Sequence, residues 1–184
     1  MAAATPIDRL YSDALAVAVD LENRGEVSLS VSASDNFRKS LLLAAASYFE
    51  HLMCNSVLEY VRERTQDSDL LTNFVNNKAI SRQYHNWFTW DAANANQFFG
   101  LFGKDFREAM VQSVAASEPL QSGVKAFLEI GNERNKLVHQ DYATFPLEKN
   151  LGEIYELYQK AQVFVDHIPT ALRECDKKAE EGSA

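Results

Sequence analysis

Apolar side chains recur every three or four positions in three long stretches of this chain, and this spacing constrains the fold more than any other feature. An α-helix turns once in about 3.6 residues, so side chains spaced in this way share one face. With 7 Gly and 4 Pro in 184 residues, the chain has few of the residues that separate short strands. We therefore predict an all-α protein, an antiparallel bundle of helices. The three stripes are Ile7, Leu10, Tyr11, Ala14, Leu15, Ala18 and Leu21; Leu42, Ala45, Phe49, Leu52, Val57 and Tyr60; and Ile154, Leu157, Tyr158, Ala161 and Val165.

A linker is expected between the first two helices. Pro6 suits the first turn of a helix, where its missing N–H group costs nothing, and Gly25 is a natural left-handed cap. Residues 26–35 alternate apolar residues with serine, which predicts an extended segment without a strand partner. The second helix then runs from about 36 to 64, capped by Ser34 or Asp35.

The rest of the chain is expected to contain shorter helices and one long final helix. An aromatic segment over 81–91 resists assignment. Asn150, with Glu153 three residues later, resembles a capping box at the start of the final helix, which Pro169 ends or kinks. The expected elements are helices over 70–80 and 107–115, a short helix and bend near Gly100 and Gly103, a helix beginning after SEPLQSG and carrying 125–138, a loop over 140–150, and a helix from Leu151 to about Ile168.

Length and charge limit the domain organisation and the partners. The chain fits one domain, which we place at 1–172, with a flexible C-terminal tail at 173–184. The 26 acidic and 18 basic side chains give a net charge of −8. This charge argues against a broad basic face for long nucleic acids, but it permits contact with a few nucleotides.

Location and cofactor use are also expected from the sequence. The first residues lack a basic region followed by an apolar core, and no apolar run approaches the roughly 20 residues that cross a bilayer. We therefore expect a soluble, cytoplasmic protein. Cys54 and Cys175 are far apart and form no CxxC pair, so we expect no disulfide framework, no metal and no cofactor.

A polar cluster follows the apolar helix over 125–130, in the stretch GNERNKLVHQDY. On an ideal helix Asn135 and His139 lie about 40° apart, whereas Arg134 and His139 lie about 140° apart. Convergence of all three requires either a helix that ends between Arg134 and His139 or the long reach of arginine. The alternative to a functional site is that these residues are ordinary polar residues at a helix end. The helix dipole favours a charged histidine at that position.

The residue types in this cluster suit RNA cleavage by the neighbouring 2′-hydroxyl. That reaction needs a base for the hydroxyl proton, an acid for the leaving 5′-oxygen and a cation that stabilises the negatively charged phosphorane. His139 can serve as base or acid, Arg134 can hold phosphate oxygens, and the Asn135 amide can orient either one. No metal is required. One copy of the cluster lacks a second proton carrier, so pairing of two sites in a symmetric dimer is attractive.

The segment RNKLVH, behind an apolar helix and before a second long helix, resembles the R-(x4–6)-H motif of the HEPN superfamily. More narrowly, residues from about 35 to 170 resemble the RiboL-PSP-HEPN type. The segments that carry the resemblance are YFEHLM (48–53), NNKAISRQYHNWF (76–88), NANQFFGLFGKDF (94–106), ERNKLVHQDYATFPLE (133–148) and EIYELYQKA (153–161).

This resemblance implies an all-α bundle, often dimeric, in which two motifs face each other across the interface. It also implies a metal-independent endoribonuclease of bacterial defence or toxin systems. By position, Arg134 would stabilise the phosphate, His139 would be base or acid, and Asn135 would fill the polar position that often follows the arginine. Many HEPN proteins are inactive or bind partners, so a non-catalytic interaction module is the alternative. A toxin silenced by an antitoxin or regulatory protein is a third reading.

Two further polar residues have both a functional and a structural interpretation. Glu50 lies beside an apolar helical stripe, where a carboxylate needs a partner; we expect pairing with Arg134 or Arg82, or a merely structural role. His51 beside it is expected on the outer surface. His85 belongs to a cluster of basic and aromatic residues: Arg82, Tyr84, His85, Trp87 and Trp90. Such a cluster suits the stacking of nucleobases. We favour the alternative, in which these residues form a core beneath a loop.

Overall fold

The fold is built from helices alone in the part of the chain that the computed structural model describes, the backbone of residues 3–181 and the side chains of 3–175. The predicted all-α fold is therefore confirmed. The elements are α1 (Pro6–Asn23), α2 (Val27–Arg64), α3 (Asp69–Val75), a π-helical turn (Asn76–Ile80), a 3-10 turn (Tyr84–Asn86), α4 (Asn96–Gly100), α5 (Lys104–Ala116), α6 (Glu118–His139) and α7 (Leu151–Glu181).

Helix α7 forms the centre of the bundle, because it packs against both α6 and α2. Helix α1 packs against α2 and also contacts α7, where the Tyr11 ring stacks on the Tyr155 ring. The inward face of α7 includes Tyr158 and Phe164, which are fully buried. Helices α6 and α7 approach closely at Gly123, where a Cβ atom would lie 2.8 Å from the Lys160 carbonyl oxygen and 3.1 Å from the Phe164 nitrogen. Only glycine fits this contact without movement of a backbone.

The predicted start and end of α1 are confirmed. The Thr5 side chain accepts a hydrogen bond from the Asp8 N–H group, and the Asp8 carboxylate accepts one from the Thr5 N–H group. This reciprocal pair is a capping box. Gly25 has a φ of +73°, the left-handed conformation that lets the chain turn from α1 into α2.

The linker predicted over 26–35 is wrong, because α2 begins at Val27 and continues for 38 residues. Ser34 and Asp35 therefore lie inside a helix and do not cap one. Asp35 instead pairs with Arg38 and Lys39, at 2.7 and 2.9 Å. Without a strand partner, an extended segment leaves its backbone groups unpaired, and the helix satisfies them internally.

Helix α6 begins earlier than predicted, whereas its end agrees with the prediction. It begins at Glu118, where Pro119 occupies the first turn and the Ser117 side chain accepts a hydrogen bond from the Leu120 N–H group. It ends at His139 and not between Arg134 and His139. The loop that follows and the Asn150–Glu153 capping box are as predicted, with capping distances of 2.7 and 2.9 Å.

The final helix continues through Pro169 to Glu181, so the predicted end near residue 168 is wrong. Residues 173–181 of the expected tail belong to the last turns of α7, and 182–184 lie outside the described residues. Among the described helices, α2 is long and apolar enough to meet the length and composition of a membrane span. A core helix meets the same test, and Leu41, Phe49 and Met53 of α2 are buried against its neighbours.

Candidate functional site

A cavity of about 570 Å³ opens between α2, α6 and the irregular segment 82–90; we call it the α2–α6 cavity. Its volume lies within the roughly 300–1,000 Å³ of small-molecule sites. Apolar side chains line part of it, and charged or polar ones line the rest. The lining residues are Ala46, Phe49, Glu50, Arg82, Tyr84, His85, Trp90, Phe127, Ile130, Gly131, Arg134, Asn135 and His139.

All three residues predicted from the RNKLVH segment line this cavity. Arg134 and Asn135 are half-buried, and the Arg134 guanidinium donates a hydrogen bond of 3.1 Å to the Asn135 side-chain oxygen. His139, the last residue of α6, is exposed. Because the helix continues through His139, the length of the arginine side chain, and not a helix end, brings the guanidinium to the same cavity as the imidazole.

Glu50 lines the same cavity from α2 and is half-buried. Within the described residues, its carboxylate has no salt bridge with Arg134 or Arg82, so the expected direct pairing is not found. Its charge acts on its neighbours instead. Burial and then the Glu50 carboxylate raise the pKa of the Cys54 thiol to about 11.

Tyr84 is buried at the inner side of the cavity. Burial raises the pKa of its hydroxyl well above the usual value, Glu50 and Cys54 raise it further, and Arg134 partly offsets this. The phenol is therefore neutral near pH 7. It can donate a hydrogen bond, but it does not serve as a base there.

The prediction that the aromatic cluster forms a core beneath a loop is correct for only some of its residues. Tyr84 and Trp87 are buried, and the Trp87 indole donates a 2.9 Å hydrogen bond to the Ala79 carbonyl oxygen. Arg82 and His85 are exposed and line the α2–α6 cavity. Sequence reasoning did not place these two residues beside Arg134. The available signal was the alternation of polar and large aromatic residues over 82–90.

Trp90 forms a wall of the cavity and rests directly on the backbone of α6. A Cβ atom at position 131 would lie 2.0 Å from the indole carbon Cε3, so only glycine allows this contact. The indole N–H group donates a 3.0 Å hydrogen bond to the His85 carbonyl oxygen, and the ring lies 5.8 Å from the Phe127 ring. Gly131 therefore allows Trp90 to form an aromatic wall of the cavity.

The remaining candidates lie outside the cavity. His51 is exposed on the outer side of α2, as predicted, and its Nε2 atom lies 2.9 Å from the Asn55 amide nitrogen. The described part of the chain contains no group of three or more His, Cys, Asp or Glu side chains that could hold a metal ion.

Comparison with protein families gives a match that covers most of this chain. The family model described as RiboL-PSP-HEPN matches residues 10–174, which include α2, α6 and every residue that lines the α2–α6 cavity. Comparisons with curated proteins and with solved structures gave no match.

Proposed function

Because the chain belongs to the RiboL-PSP-HEPN family, we propose that it is a metal-independent endoribonuclease whose active site is the α2–α6 cavity. One observation carries the proposal: Arg134, Asn135 and His139 line a single open cavity that also has an aromatic wall, Trp90. Protein sites for single-stranded RNA combine positive charge with aromatic rings on which bases stack.

The proposed reaction uses the 2′-hydroxyl of the RNA as the nucleophile. The 2′-oxygen forms a bond to the adjacent phosphorus, and the bond from phosphorus to the 5′-oxygen breaks. Arg134 stabilises the negative phosphorane oxygens through its guanidinium N–H groups. His139 carries one of the two protons that must move. Asn135 holds the guanidinium through their 3.1 Å hydrogen bond. The products are a 2′,3′-cyclic phosphate and a 5′-hydroxyl.

The proposal includes the biological setting that membership implies. We infer a cytoplasmic homodimer that acts on RNA in bacterial defence or in a toxin–antitoxin pair. His139 is exposed in the last turn of α6, and Val138 beside it is 45% exposed. A large substrate or a second copy of the chain can therefore reach this end of the helix. Light scattering on the purified protein measures its mass in solution, and a mass equal to one chain contradicts the dimer.

The testing experiment is cleavage of a labelled structured RNA by wild type, Arg134→Ala and His139→Ala, each in excess EDTA. We expect wild type to leave 2′,3′-cyclic phosphate ends and each variant to be about 10²–10⁴-fold slower. His51→Ala is the matched control, because it removes an exposed histidine from the outer side of α2. Undiminished cleavage by either cavity variant, with its helical circular dichroism intact, contradicts the assignment.

A second candidate function is a non-catalytic interaction module, and the apolar surface of α3 favours it. Leu70 is 85% exposed, Phe74 is 64% exposed, and Leu71 lies between them in sequence and is also exposed. A patch of this kind is typical of a protein-binding surface. Stable capture of a partner that Leu70→Ser abolishes, together with no His139-dependent cleavage, supports this function. Cleavage that depends on His139 contradicts it.

A further inference from the structure

The α2–α6 cavity has an inner, apolar end that the proposed cleavage chemistry does not use. Phe49, Phe127 and Ile130 line it and are at most 2% exposed. By contrast, His139 is exposed and Arg134 is half-buried. The ribose–phosphate backbone of RNA is polar and charged, so it is a poor match for apolar side chains. A nucleobase matches them, because it has two apolar faces as well as a polar edge.

We propose that this inner end binds one unstacked guanine base of the RNA, in the nucleotide next to the phosphate that Arg134 holds. This inference rests on the proposed endoribonuclease function and adds the substrate class, which is single-stranded RNA with guanine at the cleavage site. Three side chains that line the cavity carry it. Trp90 is the stacking surface, Tyr84 is a hydrogen-bond donor, and Glu50 is a hydrogen-bond acceptor.

Trp90 offers an aromatic surface whose position is fixed before any ligand binds. Its ring rests on the backbone of Gly131, 5.0 Å from the Phe88 ring and 5.7 Å from the Tyr84 ring. The indole is only half-buried and lines the cavity, so part of it stays available to a ligand. A base that stacks on it therefore loses little free energy to the ordering of the side chain.

This aromatic surface lies one helical turn from the proposed phosphate-binding group. Gly131, beneath Trp90, and Arg134 are three positions apart on α6, which corresponds to about 4.5 Å along the helix axis. Residues at this spacing share one face of a helix. In a nucleotide, one ribose separates the base from the phosphate, so a single nucleotide can contact Trp90 and Arg134 together.

The Tyr84 hydroxyl is a donor without a hydrogen-bond partner in the described part of the chain. The fully enclosed side-chain atoms that lack a partner there are Arg38 Nε, Thr72 Oγ1 and His167 Nε2. The Tyr84 hydroxyl is not among them, and Tyr84 lines the cavity, so the hydroxyl remains within reach of a ligand. Burial, and then the Glu50 carboxylate, raise the pKa of this hydroxyl well above its usual value. It is therefore a neutral donor near pH 7.

The Glu50 carboxylate is an acceptor that also lacks a hydrogen bond or salt bridge within the described residues. A half-buried carboxylate is costly without a partner. Its charge, after burial, raises the pKa of both the Tyr84 hydroxyl and the Cys54 thiol, which indicates that the carboxylate lies close to the phenol. A ligand with two neighbouring N–H groups can satisfy both of its oxygens.

This set of groups matches the Watson–Crick edge of guanine. That edge carries two neighbouring donors, N1–H and the N2 amino group, followed by the acceptor O6. A carboxylate accepts from both donors, and a neutral phenol donates to O6. Adenine and cytosine place an amino donor beside a ring-nitrogen acceptor, and uracil has one donor between two acceptors. Each of these bases leaves an oxygen of Glu50 unpaired, which a hydrogen-bonding site disfavours.

The first test maps wild-type cleavage, in excess EDTA, on an unstructured RNA that contains every dinucleotide. We expect cleavage next to guanine to be at least about tenfold faster than next to the other bases. Inosine at that position lacks the N2 amino group and should be cut at least about fivefold more slowly. The control is 7-deazaguanine, which keeps N1, N2 and O6 and should be cut as fast as guanine. Equal rates at all four bases, or at guanine and inosine, overturn the proposal.

The second test asks whether Glu50 and Tyr84 read the base. Glu50→Gln replaces one acceptor with a donor, so we expect the difference in rate between guanine and inosine to disappear. Tyr84→Phe keeps the ring, removes the donor to O6 and should lower the preference for guanine over adenine. His51→Ala on the outer side of α2 is the control and should leave both preferences unchanged. If Glu50→Gln slows cleavage equally at every base, Glu50 has a catalytic or structural role and the proposal is overturned.

The stacking role of Trp90 has its own signature. We expect Trp90→Ala to raise KM at least about fivefold with a smaller change in kcat, and Trp90→Phe to lie between it and wild type. Helical circular dichroism checks that both variants fold. A loss confined to kcat in Trp90→Phe contradicts stacking.

The third test separates failure of this inference from failure of the proposed function. Calorimetry measures the binding of guanosine 3′-phosphate and adenosine 3′-phosphate to wild type and Glu50→Gln. We expect wild type to bind the guanosine compound at least about tenfold more tightly, and Glu50→Gln to bind both alike. This preference without His139-dependent cleavage of RNA overturns only the endoribonuclease. His139-dependent cleavage with no preference in binding or cutting overturns only the guanine site, and the absence of both cleavage and preference overturns both.

Discussion

Gly131 is the single residue on which the shape of the α2–α6 cavity depends most directly. The indole of Trp90 occupies the space where any Cβ atom at this position would lie, at 2.0 Å. We predict that Gly131→Ala displaces Trp90, lowers the free energy of unfolding by about 1–3 kcal/mol and slows RNA cleavage. Urea unfolding and the cleavage rate are the measurements.

Gly100→Ala is the matched control for that change. Gly100 lies in α4, and a Cβ atom there meets only Arg107 Cδ, at 4.0 Å. In a helix, alanine is more favourable than glycine by up to about 1 kcal/mol, so this variant is expected to equal or exceed wild-type stability. Equal stability of Gly131→Ala and wild type contradicts the contact with Trp90.

The sequence predicts one half of the cavity and not the other. Arg134, Asn135 and His139 lie within six residues of one another, so local spacing is enough to group them. Arg82 and His85 reach the same cavity only because the segment after α3 packs against α6. That contact depends on how Trp90 packs over Gly131. The spacing of apolar residues in the sequence does not predict this packing. Long-range packing of this kind cannot be predicted from one sequence by local rules.

At the scale of elements, the fourth turn of α2 holds the loop that follows His139. The Lys39 side chain is 3% exposed, donates a 3.0 Å hydrogen bond to the Tyr142 carbonyl oxygen, and lies 5.4 Å from the centre of the Tyr142 ring. Arg38 donates to the Leu147 carbonyl oxygen at 3.1 Å. The helix therefore anchors the loop over 140–150 at two points.

We predict that Lys39→Met lowers the free energy of unfolding by about 1–3 kcal/mol, because a partly buried carbonyl oxygen loses its donor. The loop should also exchange its amide hydrogens faster, which hydrogen-exchange mass spectrometry measures. Lys104→Met is the control, since Lys104 is exposed and its salt bridge with Glu108 spans 3.7 Å. Equal effects of the two substitutions contradict the anchoring role of Lys39.

The incorrect prediction of a linker over 26–35 is explained by the spacing of residues within α2. Val27, Leu29 and Val31 alternate with serine, a period typical of a strand with one buried face. All three are more than half exposed on α2, so burial does not set their spacing. Asp35, Arg38 and Lys39 carry the relevant information instead, because their spacing of three and four forms ion pairs along a helix.

At the scale of the whole molecule, carboxylates in ion pairs make folding sensitive to acid. A hydrogen bond from Lys39, opposed by burial and aided by Arg38, keeps the pKa of Asp35 below its usual 3.8. A hydrogen bond from Arg173 of α7 keeps the pKa of Glu63 on α2 below its usual 4.5. The folded protein binds fewer protons at these groups than the unfolded chain, so their stabilisation is present above pH 4.5 and is lost as the pH falls through the lower, folded values.

We therefore predict that the free energy of unfolding decreases between pH 5 and 3, and that Asp35→Asn with Glu63→Gln decreases less over the same interval. Asp35 contributes less than about 1 kcal/mol to this decrease, because its side chain is 39% exposed and solvent screens its ion pair with Arg38. Urea unfolding at each pH measures both. Identical pH dependence in the variant and wild type contradicts the assignment.

The bundle as a whole follows from its apolar stripes, since Ala45, Phe49, Ile154, Tyr158 and Val165 are buried as their spacing predicts. The continuation of α7 through Pro169 does not follow from local rules. A proline inside a helix costs roughly 3 kcal/mol. Ile168 and Leu172 on either side of it are almost fully buried, and each such burial contributes roughly 1.5–3 kcal/mol. Packing that only the complete molecule provides thus offsets a local penalty.

Because of its position, Trp90 can serve as an intrinsic fluorescent probe of the α2–α6 cavity. The chain has two tryptophans: Trp87 is buried in the core, and Trp90 is half-buried at the cavity wall. Indole emission responds to the polarity and stacking of its surroundings, so a base that enters the cavity alters the emission of Trp90 and leaves that of Trp87 unchanged. In a Trp87→Phe background, titration with a non-cleavable oligonucleotide therefore reads occupancy of the site directly, without any added dye and before any bond is broken.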